Sequence, residues 1–211
     1  MASAESTGLR RSLEALKRHG VLLQSDPKLP SISSLVAGDT VRGSWWAHPA
    51  GHASHRVVEE MDAHPDVIVS KLVSGKVTYV HRCLWSAFVG AASAHEHWQL
   101  EGISRLAQSI LDRVTRAGEL RTDDIPWTGG RKAESPGEVT RELERKLLIH
   151  SEEMHTSSGA HAKRLETWEG WAQRVGFADN VMTPGRAKKK LENVLRGLNS
   201  EFGASGRLPW A

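Results

Sequence analysis

One arrangement of elements occurs twice along this chain, and that repetition constrains the fold more than any other feature. Arg18-His19-Gly20-Val21-Leu22 and Arg116-Ala117-Gly118-Glu119-Leu120 each place a glycine between the end of an amphipathic helix and the start of a short strand. Glycine suits that position because the residue that ends a helix commonly adopts the left-handed conformation. Upstream, Leu9, Leu13 and Leu16 in one half, and Leu106, Ile110, Leu111 and Val114 in the other, recur at helical spacing. The spacing predicts one helix from about Ser6 to Gly20 and another from Ser104 to Gly118, followed by strands at Val21-Leu22-Leu23 and Glu119-Leu120-Arg121-Thr122.

Each half then continues in the same way. Ser31 caps a brief helix through Leu35 and Val36 that stops at Gly38, and a third helix runs from about Ala50 to Ala63 with Val57, Val58 and Met61 on one face. Two β-rich runs, 67–73 and 76–81, meet at Ser74-Gly75. In the second half Ser135-Pro136 opens a helix striped by Val139, Leu143, Leu147 and Leu148, and a hairpin turns at Ser158-Gly159. Both hairpins lead to a tryptophan, Trp85 and Trp168. The expected fold is therefore α+β and helix-rich: two tandem winged-helix units, each a helix-turn-helix plus a β-hairpin wing, with a C-terminal helix. The boundaries read as 1–83 for the first unit, 84–98 for a connecting helix, 99–176 for the second unit, and 177–211 for a basic helix and tail begun by Thr183-Pro184.

Composition narrows the chemistry. The 211 residues contain no apolar run of membrane-spanning length, and the first residues lack the basic and apolar regions of a signal peptide, so a cytoplasmic protein with no membrane partner is expected. A lone cysteine, Cys83, excludes an internal disulfide or thiolate metal cluster and reads as a small buried residue. The formal charge is +3 and the sequence pI about 9.2, a mild excess of bases compatible with a polyanionic partner. No Ser-His-Asp order, phosphate-cradling glycine loop or opposed carboxylate pair stands out, which argues against several large enzyme classes.

A winged helix holding duplex DNA inserts its third helix into the major groove while wing and loop cations hold phosphates. In the first unit that assigns His52, His55 and Arg56 on the helix and Lys71 and Lys76 on the wing; in the second it assigns Arg141, Arg145 and Lys146, supported by Arg131 and Lys132. The second set has the clearer phosphate footprint. The loop Arg42-Gly43-Ser44-Trp45-Trp46-Ala47-His48-Pro49 adds two adjacent tryptophans that one small core does not easily absorb. Trp45 or Trp46 there can stack on an unpaired base, Arg42 can hold a phosphate, and His48 can donate a proton near neutral pH. His48 and His52 have a spacing that serves zinc on a helix, but Pro49 intervenes and no glutamate lies between them, so neither a metal site nor another cofactor is expected.

With tandem winged helices and Gln24-Ser25-Asp26 just beyond the first helix, the chain resembles the winged-helix DNA glycosylases of alkylpurine and crosslink repair, the YcaQ type. That family carries a Gln-x-Gln or Gln-x-Asp there, within three units and about twice the length, with an apolar residue where Ser25 stands. The resemblance implies that Asp26 stabilises charge on the sugar and orients water, that Gln24 assists, and that Trp45 or Trp46 serves base flipping. Asp26-Pro27 is equally a good turn. Three function classes thus stand open: a DNA-binding module of regulation or repair, a monofunctional glycosylase, as the resemblance implies, and a protein-interaction adaptor.

Overall fold

The computed structural model describes residues 2–126, 135–155, 161–177 and 181–211. The chain divides into two compact units, Met1–Phe88 with Val181–Ala211, and Val89–Asn180. Each is an α+β body with one three-stranded antiparallel sheet. No helix among the described residues is long and apolar enough to cross a membrane.

In the first unit, helix α1 (Ala2–His19) ends at Gly20, whose φ of 77° turns the chain into strand β1 (Val21–Leu23). The close approach also requires glycine, because a Cβ here would lie 2.7 Å from Leu84 Cδ1. Helix α2 (Ile32–Ala37) begins where Ser31 Oγ accepts the Ser34 N–H and ends at Gly38, again left-handed at φ 76°. A 3-10 turn at Trp45–Ala47 precedes helix α3 (Gly51–Asp62), which buries Ser54, Val57, Val58 and Met61. Strands β2 (Val67–Val73) and β3 (Lys76–His81) form the hairpin, and the sheet order is β1-β3-β2, with Leu22 opposite Tyr79 and Ile68 opposite Val80. Leu16, Leu22, Ile32, Val57, Met61 and Tyr79 close the core between sheet and helices.

The connection expected as one helix over 84–98 is broken. A 3-10 turn at Arg82–Leu84 leads into α4 (Trp85–Ala92), and a separate α5 (His97–Leu100) starts at a capping box between Glu96 and Gln99. Cys83 is exposed rather than buried. It sits on the 3-10 turn while Leu84 and Trp85, the next two residues, take the interior, and its N–H is held by His81 Nδ1 at 3.3 Å.

The second unit keeps the sequence of helix, strand, helix and hairpin, but among the described residues a 3-10 turn (Thr122–Asp124), and no α-helix, stands where the first unit has α2. Helix α6 (Arg105–Ala117), capped by Ser104, ends at Gly118 with φ 83°, and β4 (Glu119–Arg121) follows. Helix α7 (Pro136–Arg145) starts from Ser135, and strands β5 (His150–His155) and β6 (His161–Glu166) complete a sheet of order β4-β6-β5. Leu120 faces Leu165 across β4 and β6. Ile110, Leu111, Val114, Val139, Leu143 and Leu165 make its core. The turn at Ser158-Gly159 lies outside the described residues. Both repeat tryptophans are buried, but their indole N–H groups go to different places: Trp85 to the Val80 carbonyl at 3.2 Å, and Trp168, the first residue of α8 (Trp168–Arg174), to that of Leu147 at 2.9 Å. Leu147 has φ 54°, uncommon for a leucine, and is held there by its buried side chain and this bond.

Helix α9 (Pro184–Phe202) and the tail after it belong to the first unit, although the sequence sets 177–211 apart. Ala187, Leu191, Leu195 and Leu198 are its buried stripe.

Candidate nucleic-acid interface

The β1–α2 loop carries Gln24 and Asp26. Gln24 is fixed through its backbone, donating to Val77 O and accepting from Ser33 N–H. Asp26 Oδ1 accepts the N–H groups of Lys28 (2.9 Å) and Leu29 (2.8 Å), the geometry of a turn cap, and Oδ2 accepts Lys76 Nζ at 2.6 Å. Burial works to raise this carboxyl's pKa, but the bonds from Lys76 and from the two N–H groups prevail and hold it below the usual carboxylate range. Asp26 lines an open cleft of about 550 Å³ together with Arg11, His19, Lys28, Leu35 and Phe202. Trp45 and Trp46 are not among the residues lining it. The loop thus binds Asp26 into a structural network and commits Lys76 to a carboxylate rather than to a phosphate.

The tryptophan loop is a separate feature. Trp45 and Trp46 stack with ring centroids 4.7 Å apart, and Trp46 also meets His55 at 4.8 Å and the edge of His52 at 6.4 Å. Trp46 is 53% exposed, the most exposed large apolar side chain among the described residues. Gly51 lets the loop close on the start of α3, since a Cβ there would come within 2.7 Å of Trp46 O. His48 lies before α3, not on it, and its Nδ1 accepts the Ala50 N–H at 3.1 Å. The four-residue spacing of His48 and His52 therefore does not bring them together as helical neighbours, and no metal-ligating group of three His, Cys, Asp or Glu side chains occurs among the described residues. Arg42, His52 and Arg56 lie at or near the surface, and Lys71 is half-buried on β2.

On the second unit, α7 turns Gly137, Arg141 and Arg145 outward at spacings of four, while Val139, Thr140, Leu143 and Glu144 are buried. Arg141 pairs with Glu138 one turn back. Lys146 is engaged inside the unit, where its ammonium donates to the carbonyls of Trp98 (2.8 Å) and Glu101 (3.1 Å), the open end of α5. Arg131 and Lys132 lie outside the described residues. On the hairpin, Lys163 binds buried Glu144 at 2.6 Å and Arg164 binds Glu152 at 2.5 Å.

Beneath these groups lies a cluster that the sequence did not reveal. His150 and Glu166 are cross-strand partners on β5 and β6, both buried, with Nδ1 3.0 Å from Oε1. Arg174 from α8 closes a fork on the same carboxylate through Nε (3.1 Å) and Nη2 (2.5 Å). Trp168 and Trp171 cover the imidazole, with ring centroids 5.4 and 6.0 Å away. Burial alone would raise the Glu166 carboxyl, but its bonds to His150 and Arg174 bring it down to about 2. A signal was available in principle, since alternation along His150-Ser151-Glu152 and Leu165-Glu166 fixes which residues share a sheet face, but the strand register was not.

In comparisons with known proteins, no family model, no curated sequence and no solved structure matches the chain significantly.

Proposed function

We propose that the chain is a DNA-binding protein built from two winged-helix units. The observation that carries this reading is the second unit's α7, whose outer line of Gly137, Arg141 and Arg145 puts a bare backbone and two guanidinium groups on the solvent side of the helix that precedes the hairpin, Arg141 in an exposed pair with Glu138 that a phosphate would have to displace. Support also comes from the recurrence of one plan: sheet orders β1-β3-β2 and β4-β6-β5, each with a positive-φ glycine before the first strand and a helix before the hairpin. Such a helix with its hairpin is the arrangement that docks in a major groove, with arginines able to fork onto guanine or hold phosphates. Trp46, stacked on Trp45 beside the start of α3, contributes a surface for an unpaired base.

The test is duplex affinity by fluorescence anisotropy for the parent, Arg141→Ala with Arg145→Ala, and Lys146→Ala. Removing two phosphate contacts lowers the slope of log affinity against log salt by about 2. Lys146→Ala instead lowers thermal stability and leaves the slope unchanged. An arginine pair that can be removed without effect sinks the reading at α7.

A glycosylase acting at Asp26 is the enzymatic alternative, consistent with the Gln24-Ser25-Asp26 resemblance and with Asp26 lining a cleft. It requires a carboxylate oxygen turned to the sugar, whereas both oxygens here are engaged with Lys28, Leu29 and Lys76. An abasic-site assay on duplexes with alkylated bases decides it: abasic sites, read as strand scission after alkaline treatment, that form with the parent and not with Asp26→Asn support an enzyme.

A further inference from the structure

The tail that follows α9 folds back on the hairpin of the first unit. Asn199 exchanges two hydrogen bonds with the backbone of Gly206, at 2.9 and 2.8 Å, and Trp210 Nε1 donates to Glu192 at 2.9 Å. Ser74, at the β2–β3 turn, donates its N–H to Arg207 O at 2.8 Å, and Ser74 Oγ accepts the Arg207 N–H at 3.1 Å. Lys28 Nζ donates to Gly203 O, and Lys76 is held by Asp26. The turn that would reach a groove as the first wing is thus bound to the tail, and the lysines around it are committed within the unit.

On the outer side of α9, Arg186, Lys189, Asn193, Arg196, Gly197 and Ser200 are exposed, a stripe at three- and four-residue intervals. No acid interrupts it: Glu192 is turned to Trp210, and Glu201 pairs with Arg18. Two further observations point outward. The first turn of α9 has no acidic residue while Arg186 and Lys189 lie toward the positive end of the helix dipole, an arrangement that is unfavourable in isolation and that an external anion relieves. Gly197 stands inside a 19-residue helix where a Cβ would meet nothing within 4 Å, so no packing within the unit calls for it. Glycine weakens a helix relative to alanine and, on an exposed face, leaves the backbone open to close approach.

We propose that this face of α9 is a second nucleic-acid surface, lying along the phosphate backbone of duplex DNA in place of the first unit's tail-bound wing. The proposal rests on the DNA-binding reading above and adds residues outside α7. Arg186 to Arg196 spans about 15 Å of helix axis, enough for the three cations to meet separate phosphates of one strand. A membrane surface fits less well, because the apolar stripe that would insert, Ala187, Leu191, Leu195 and Leu198, is buried in the unit.

The experiment measures duplex affinity of the full chain across a salt series for the parent, for the triple variant Arg186→Ala, Lys189→Ala, Arg196→Ala, and for Gly197→Ala, with thermal unfolding alongside. The triple variant loses affinity roughly tenfold or more at low salt, and its salt slope falls by about 3. Gly197→Ala unfolds at a higher temperature than the parent yet binds more weakly. A parent that binds duplex while the triple variant keeps the same slope, or undiminished affinity in Gly197→Ala, overturns the α9 surface and leaves the DNA-binding reading standing. A parent that binds no duplex overturns both. Binding of anionic vesicles that the triple variant abolishes while duplex binding persists assigns the stripe to a membrane and also overturns the proposal.

Discussion

Replacing Glu166 by glutamine tests how much charge, rather than shape, stabilises the buried cluster of the second unit. The substitution keeps the shape but removes the charge that His150 and Arg174 share. The carboxyl's folded value of about 2 lies below its ordinary 4.5. Between those two values the folded state binds fewer protons than the unfolded chain, so the stabilisation is complete above the unfolded value and is lost as pH falls through the folded one. The difference converts to roughly 3 kcal/mol near neutral pH, within the range seen when one partner of a buried pair is removed. By about pH 3 the advantage of the parent shrinks to about 1 kcal/mol, because the carboxyl of the unfolded chain is by then almost fully protonated. Arg174, whose own pKa is raised by its bond to Glu166, remains charged throughout. Urea unfolding of parent and Glu166→Gln, followed by circular dichroism at several pH values between these limits, reads the gap directly. A gap that stays constant with pH shows that Glu166 acts through packing, and refutes the argument from charge.

Other outcomes follow from single positions. Gly118→Ala destabilises through backbone strain alone, by more than the roughly 1–2 kcal/mol of a left-handed helical residue, since its φ of 83° goes with a ψ of −41° and no atom lies within 4 Å of the added Cβ; Gly20→Ala adds a contact with Leu84, and thermal unfolding reads both. Asp26→Ala loses a turn cap and an ion pair together, destabilising by about 2 kcal/mol, and the loss is fully present above the ordinary Asp pKa and fades as pH falls through the lowered folded value, which urea unfolding at acid and neutral pH checks. Trp46→Ala, at a half-exposed site, leaves the unfolding temperature near that of the parent while weakening binding to duplexes with single-stranded overhangs more than to blunt ones; equal weakening on both removes the stacking role.

Much of the architecture is legible in the sequence because its signals are local. Ser31, Ser104 and Ser135 each supply the hydroxyl that caps a helix, and Gly20, Gly38 and Gly118 supply the positive-φ residue that ends one, so the elements can be placed from the chain alone. Partnership among charges is not legible. Lys146 reads as a phosphate ligand by its place at the end of α7, but the open carbonyls of α5 claim it; Lys76 reads as a wing cation, but Asp26, fifty residues earlier, holds it. Such pairings depend on which loops meet in space, and helical or strand periodicity carries no record of that. The return of the tail to Ser74 is hidden for the same reason, since neither Arg207 nor Ser74 belongs to a pattern that names the other. The exposure of Cys83 is hidden too, because a lone small residue between Arg82 and Leu84 gives no periodicity with which to assign its face.

The central claim, that this chain holds duplex DNA through phosphate contacts, is tested most directly by the salt dependence of its affinity for an unmodified duplex. With the arginines of α7 and the cations of α9 engaged, log affinity falls linearly with log salt at a slope of about −4 to −5. An affinity indifferent to salt, or no measurable binding at low salt, contradicts the account.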